Sequence, residues 1–233
     1  MNVALISAGG VGERSKLDVP KQFLSVNDKP LIIYTLKAFQ ESPYIDAIAV
    51  VCLNGWEDTL QAYANREGIS KYKWVFKGGP NVQESWHNGI MGLATVVDDF
   101  DGCNVICHDG VRPLVSQRII EDCVRKCNEN GFAVTVNHTP EVIMKLNSLK
   151  HSLTNVDIDR KMLFVRQNPQ AFKLSDLYYA YTHKEYEKMI DPYETVCEGE
   201  IPAVNVVLSE IFNFKITYPE DIKLFKRLVC STD

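Results

Sequence analysis

The sequence predicts an α/β fold: a mostly parallel β-sheet with helices on both faces and a protruding β-arm. Three observations predict it. Short apolar runs alternate with helix-period segments from the N-terminus to about residue 136, the rhythm of βαβ units with strands buried on both sides. The chain has 233 residues, 45% of them hydrophobic, enough to build one sizeable core. The alternation fails over about 137–161, a polar stretch with short strand-like pieces that is the candidate arm. Neither an internal repeat nor a linker divides the chain, so residues 1–233 are expected to form one domain.

Taken in order, Val3 to Ser7 reads as a first buried strand, followed by a glycine-rich loop. Gln22 to Val26 precedes an Asn27-Asp28 turn. Pro30 opens a helix through Gln40, with Leu31, Tyr34, Thr35, Ala38 and Phe39 able to share a face. Ala47 to Cys52 is a buried strand, Trp56 to Arg66 a helix, and Trp74 to Phe76 a short strand ending at Gly78-Gly79-Pro80. A helix from about Asn81 to Val97 turns Trp86, Ile90 and Leu93 inward. Asn104 to Cys107 is the next strand, ending at His108-Asp109-Gly110-Val111-Arg112-Pro113. Ser116 caps a helix to Asn128, which Asn130-Gly131 stops, and Phe132 to Val136 is a further strand. After the arm, helices are expected over about Lys173 to Lys188 and Glu194 to Glu198, and strands over Val204 to Leu208 and Asn213 to Ile216. Thr217-x-x-Glu220 with Pro219 forms a capping box for a last helix to Val229.

The net charge of −5 leaves no basic footprint for nucleic acid. No run reaches the length of a membrane span, and the N-terminus lacks the pattern of a signal peptide. Seven cysteines without a secretory signal fit reduced thiols in the cytoplasm.

The most informative stretch is Ser7-Ala8-Gly9-Gly10-Val11-Gly12-Glu13-Arg14, followed by Pro20-Lys21-Gln22-Phe23. Glycines let the backbone approach a ligand closely and adopt positive φ. Consecutive N–H groups in such a turn form a concavity for anions, and Arg14 and Lys21 add two positive charges. Together they suggest a polyphosphate site. A dinucleotide-binding loop fits poorly, because Ser15 holds the third glycine position and Pro20 leaves little room for the helix that should follow; no Walker pattern is present. In an open parallel sheet, ligands bind beyond the carboxyl ends of the strands, and this loop, Gly78-Gly79, Asp109 and Arg112 all lie just past expected strand ends.

These residues resemble the signature of the nucleotidyltransferases that make CDP-activated polyols, the methylerythritol-phosphate and ribitol-5-phosphate cytidylyltransferases. Beyond the opening loop, the resemblance includes Gly78-Gly79 with Ser85 and His108-Asp109-x-x-Arg112-Pro113. It continues through Pro169-Gln170-x-Phe172 to Asn213-Phe214-Lys215-Ile216-Thr217-x-Pro219-x-Asp221, in family order over nearly the whole chain. Val111 and the Pro20 to Phe39 segment look more like the ribitol-phosphate branch. The resemblance implies a Rossmann-like fold and transfer of CMP from CTP to a polyol phosphate, with ribitol 5-phosphate ahead of methylerythritol 4-phosphate and release of pyrophosphate. It assigns Arg14, Lys21 and Lys215 to the triphosphate and the developing charge, and Asp109 to Mg²⁺. Ala8, Gly9, Gly10, Gly12, Gly78, Gly79, Ser85 and Gly110 would frame the nucleotide. Arg112 and Arg160 fall on the acceptor side, Arg160 on the arm of a neighbouring subunit, which implies a homodimer.

This sequence departs from the family at several places. Pro80 stands where an aspartate is usual, Val82 where a basic residue is, Val142-Ile143 for the Asp-Thr pair of the arm, Asn168 for threonine, and Asp191-Pro192 near the later Thr-Asp pair. Phosphate-side residues survive while base-side and acceptor-side residues differ. This leaves two expectations, an enzyme with an altered acceptor or weakened nucleotide selectivity, or a nucleotide-binding pseudoenzyme with a regulatory or assembly role. Cys103-x₃-Cys107 and Cys123-x₃-Cys127 lack zinc spacing and read as buried apolar positions. His108 reads as structural rather than as a general base, and Trp56, Trp74 and Trp86 as packing residues.

Overall fold

The computed structural model describes residues 1–10, 19–139, 141, 145–148, 151–154, 161, 163–197 and 201–230. The elements in chain order are β1 (Asn2–Ala8), β2 (Ser25–Val26), β3 (Lys29–Pro30), α1 (Leu31–Glu41), β4 (Ala47–Cys52), α2 (Glu57–Arg66), β5 (Tyr72–Lys77), α3 (Val82–Val96) and β6 (Asn104–Asp109). They continue with α4 (Gln117–Asn130), β7 (Phe132–His138), β8 (Lys145–Ser148), β9 (His151–Thr154), β10 (Phe164–Lys173), α5 (Leu174–His183), α6 (Pro192–Val196), β11 (Val206–Leu208) and α7 (Pro219–Cys230). Seven strands form one sheet in the order β11-β7-β10-β6-β1-β4-β5. Every neighbouring pair is parallel except those made by β10, which runs antiparallel to both β6 and β7.

Strands β4 and β6 are buried along their whole length, as their unbroken apolar runs predict for strands covered on both faces. One core cluster packs α1, α2 and α4 against the residues of even parity on β1, Ala4, Ile6 and Ala8. The other packs α3 and α5 against Val3 and Leu5 of β1 and Val105 and Cys107 of β6. The period-2 alternation of strand side chains thus divides the domain into two layers around the sheet.

Several terminators act as the sequence predicts. Ser116 accepts from the Ile119 N–H to open α4, and Gly131, at φ +86°, ends it in a conformation that favours glycine. Asn27 and Asp28 take positive φ in the β2–β3 turn, the pairing that two-residue hairpins need.

Four expectations are corrected. β10 has no counterpart in the expected elements: Pro169 masks it, and the strand accommodates the proline at a register shift between Gln167 and Gln170. Its end also takes Lys173 out of the helix expected to start there, so α5 begins at Leu174, and Tyr186–Lys188 forms a separate 3₁₀ turn. Asn213 to Ile216 is not a strand. It is an irregular segment fixed by the Ile216 N–H bonded to the Val111 carbonyl at 2.9 Å and by a fully buried Asn213. The cap of α7 is shifted by one residue: Asp221, not Glu220, accepts from the N–H groups of Thr217 and Tyr218, both at 2.8 Å. In the segment expected to form an arm, β8 and β9 pair antiparallel in a separate two-stranded sheet.

Candidate active site

Four parallel strands end at one rim. Ser7 pairs with Asp109, Ala8 with Cys52, and Cys52 with Lys77. The chain leaves these strands through glycines. The Gly110 N–H donates to the Ser7 carbonyl at 2.8 Å and the Gly78 N–H to the Cys52 carbonyl at 2.7 Å. Gly9 and Gly78 touch backbone to backbone: a Cβ on Gly9 would stand 3.1 Å from the Gly78 Cα and 2.9 Å from the Ser85 Oγ. Close approach, not positive φ, is what these two positions require. The positive-φ glycines among the described residues are Gly55, Gly68 and Gly131, which corrects the expectation of positive φ for Gly9 and Gly10.

Ser85 knits the rim to α3. Its Oγ accepts from the Gly79 N–H at 3.0 Å and donates to the Asn81 carbonyl at 2.9 Å. On the other side of the loop, the buried Gln22 donates from Nε2 to the carbonyls of Ala8 and Gly10, at 2.8 and 2.9 Å. Sequence reasoning had Gln22 in the motif but gave it no role. The structure makes it the clamp that holds these two carbonyls. Ala8, Gly9, Gly10, Gly78, Gly79, Ser85 and Gly110 therefore come together as expected. Gly12, Arg14 and Arg160 lie outside the described residues.

At the centre of the rim stands Asp109, the last residue of β6, with its side chain about nine-tenths buried. Both carboxylate oxygens are engaged: Lys215 Nζ donates to Oδ1 at 2.9 Å and Arg112 Nε to Oδ2 at 2.8 Å. Burial alone would push this carboxyl upward; the Lys215 and Arg112 charges override it and hold Asp109 well below the usual carboxylate range. Lys21 Nζ donates to the Ile216 carbonyl at 3.1 Å, next to Lys215 in the chain. Lys21, Lys215 and the Asp109–Arg112 turn, three segments widely separated in sequence, thus come near one another. No group of three or more His, Cys, Asp or Glu able to hold a metal occurs among the described residues. Mg²⁺, commonly held by one or two carboxylates with phosphate and water completing its shell, would need an Asp109 oxygen released by Lys215 or Arg112.

The second half of the rim is polar. Arg112 Nη1 donates to the Asn213 carbonyl at 2.9 Å, and the Asn213 amide donates to the Asn168 carbonyl at 2.8 Å. The Oδ1 atoms of Asn168 and Asn213 are buried with no partner among the described residues. Beyond them Asp191 caps α6 through the Glu194 N–H and accepts from both Arg166 Nε and Gln170 Nε2. Sequence reasoning placed Asp191 near a family position, and Arg166 carried no signal because its strand was not recognised.

His108 is fully buried against Phe39, with Nε2 3.0 Å from the Arg112 carbonyl. Burial drives its pKa down to about 4, so the ring is neutral near pH 7 and serves the loop structurally. Cys103, Cys107, Cys123 and Cys127 are buried free thiols, all pushed upward by burial, and Trp56 stacks on Phe23 at 4.5 Å.

The family model described as "IspD: 2-C-methyl-D-erythritol 4-phosphate cytidylyltransferase" matches residues 2–230. A ribitol-5-phosphate cytidylyltransferase of Lacticaseibacillus paracasei is 37% identical over 240 residues, 97% of each chain. One from Vibrio parahaemolyticus is 36% identical over 234 residues, covering 98% of this chain and 96% of its own. A 2-C-methyl-D-erythritol 4-phosphate cytidylyltransferase of Clostridium kluyveri is 32% identical, covering 95% and 93%. In fold, the chain matches the solved 4-diphosphocytidyl-2C-methyl-D-erythritol synthase of Anaerococcus prevotii with a TM-score of 0.79 at 21% identity, over 98% and 96% of the two chains. A near-complete family match and relatives above 30% identity, on a rim that gathers the signature residues, establish that this chain belongs to the IspD family of cytidylyltransferases and is a nucleotidyltransferase.

Proposed function

We propose that this enzyme transfers CMP from CTP to ribitol 5-phosphate and releases pyrophosphate. The observation that carries the choice of acceptor is the set of ribitol-5-phosphate cytidylyltransferases at 33–37% identity over nearly the full length. Methylerythritol 4-phosphate is the second reading, supported by the family description and by the relative at 32% identity.

Both substrates are anionic, so the task is to neutralise charge and align an acceptor phosphate oxygen with the α-phosphorus. Lys21 and Lys215 supply mobile ammonium groups; Lys215 now rests on Asp109 and would exchange that partner for the α-phosphate when CTP enters. Arg14 would meet the triphosphate from the opening loop, Arg112 would hold the acceptor side, and Arg160 would complete it from the arm of a second copy, which makes a homodimer part of the proposal. The backbone of the Ala8–Gly10 and Gly78–Gly79 turns, with Gly12, Ser85 and Gly110, would frame the nucleotide. Mg²⁺ bound at Asp109 would neutralise phosphate charge. The acceptor oxygen forms its bond to the α-phosphorus as the bond to pyrophosphate breaks, and no covalent enzyme intermediate is needed. No described helix is long and apolar enough to cross a membrane; a cytoplasmic location is part of the proposal.

The test is pyrophosphate release with each of the four nucleoside triphosphates, Mg²⁺, and ribitol 5-phosphate or methylerythritol 4-phosphate. Turnover with CTP and ribitol 5-phosphate is expected. Binding of CTP without release for any acceptor would support the pseudoenzyme instead.

A further inference from the structure

We propose that Arg166 is a binding residue for the acceptor phosphate, supplied by the same subunit that holds Asp109. The inference rests on the cytidylyltransferase reading above and deepens it on the acceptor side.

The sheet places Arg166 at the reaction rim. β10 lies between β6 and β7, and Gln170 is level with Cys107 on one side and Val134 on the other. Two residues further on, β6 reaches Asp109 and β7 reaches Val136, the partner of Arg166. The irregularity at Pro169 makes Arg166, four positions before Gln170, equivalent to one two-residue step. Side chains two apart share a face. Cys107, Val134 and Val136 all pack in the α3–α5 layer, so Arg166 and Asp109 stand at the same level on the same face. On that face the nucleotide half lies toward α3, and Arg166 lies on the opposite side of Asp109.

The guanidinium is fixed in a way that leaves its fork available. Its Nε donates to Asp191 Oδ2 at 2.6 Å, and its plane lies over the Tyr193 ring, 4.9 Å from the centroid. Asp191 is itself locked by Gln170 and by its capping bond to α6. The two terminal nitrogens make no hydrogen bond among the described residues, and the side chain keeps 29% exposure. A planar donor pair held from behind suits two-pronged recognition of a phosphate. An ion pair serving only to fasten α6 to β10 would need no such open fork.

The test is steady-state kinetics of Arg166→Gln, Arg166→Lys and Asp191→Asn with ribitol 5-phosphate and CTP, alongside thermal melting. Asparagine retains the cap of α6 while removing the charge that holds Arg166. The expected result for Arg166→Gln is a KM for ribitol 5-phosphate raised about 10-fold or more, from loss of charge-assisted hydrogen bonds, with the KM for CTP within about twofold. Arg166→Lys should recover part of the loss, and Asp191→Asn should raise the same KM by less. An unchanged acceptor KM, or an equal rise in both KM values, overturns the proposal. If Arg166→Gln does not fold, the lysine and Asp191 variants decide by the same criterion. If the wild-type protein turns over neither polyol phosphate, the functional reading fails separately. Calorimetric titration of ribitol 5-phosphate into wild-type and Arg166→Lys protein then decides on Arg166, and equal affinities overturn it.

Discussion

Lys215 Nζ donates to Asp109 Oδ1 at 2.9 Å, joining the end of β6 to a segment 106 residues later in the chain. The bond holds a cation at the rim where the parallel strands end, and under the proposed function that cation would be in place before substrate arrives. Lys215 is about one-third exposed while Asp109 is about nine-tenths buried, so the lysine is the partner free to move. Lys215→Ala should reduce kcat by about 10²–10³-fold, the usual scale for removing one electrostatic stabiliser of a transition state. Lys21→Ala should have a similar effect, and both variants should melt close to wild type. Pyrophosphate release and thermal melting check this; full activity in both variants would remove these lysines from the mechanism.

Gly78 is packed against two backbones. A Cβ there would stand 2.9 Å from the Cys52 carbonyl oxygen and 3.0 Å from the Gly9 Cα. Backbone on either side cannot rotate away as a flexible side chain could. Gly78→Ala should therefore shift the rim and raise the KM for CTP by about 10-fold or more, the cost of a displacement near an aligned substrate. CTP titration of Gly78→Ala against wild type checks this; equal affinities would mean that the close approach of the two turns does not position the nucleotide.

The parts of the molecule written in local sequence were legible. Apolar runs located β1, β4 and β6, and Ser116 with Gly131 bounded α4, because burial and backbone conformation act within a few residues. The glycine loop read locally as an anion cradle and Asp109 as a residue just past a strand end, whereas the roles expected of Asp109 and Lys215 came only from ordered resemblance to a family. β10 was not legible: Pro169 within it argues against a strand, and only pairing with β6 and β7 reveals how the break is absorbed. For the same reason Arg166 gave no signal, since its partner Asp191 is 25 residues away. Asn213 to Ile216 reads as a strand by composition, yet buried polar contacts of Asn213 with Asn168 and Arg112 hold it irregular.

His108 adjoins Asp109 but should not titrate in the reaction. Its folded pKa is lowered from 6.5 to about 4 by burial. The unfolded state then binds the proton more readily, so stability from a neutral His108 is full above about pH 6.5 and is lost as pH falls toward 4. His108→Gln should remove part of that acid sensitivity in melting experiments. It should leave the shape of the kcat/KM profile unchanged between pH 6 and 8 (about the range in which an ordinary histidine titrates).

Glu67 offers a separate reading of acid stability, remote from the reaction rim. Lys37 donates to it at 2.8 Å, Lys29 lies 3.3 Å away and Arg66 pairs with its other oxygen at 3.2 Å. The Lys37 hydrogen bond is the main cause of a carboxyl pKa lowered from 4.5 to about 2. The folded state holds the carboxylate more strongly than the unfolded one, so the contribution is complete above about pH 4.5 and is lost as pH falls to about 2. Lys29 belongs to β3, Lys37 to α1 and Glu67 follows α2, so the cluster ties three elements together. Glu67→Gln should lower the melting temperature near neutral pH and flatten its fall between pH 4.5 and 2. Equal slopes in wild type and variant over that interval would mean that the ion cluster is not what couples these elements.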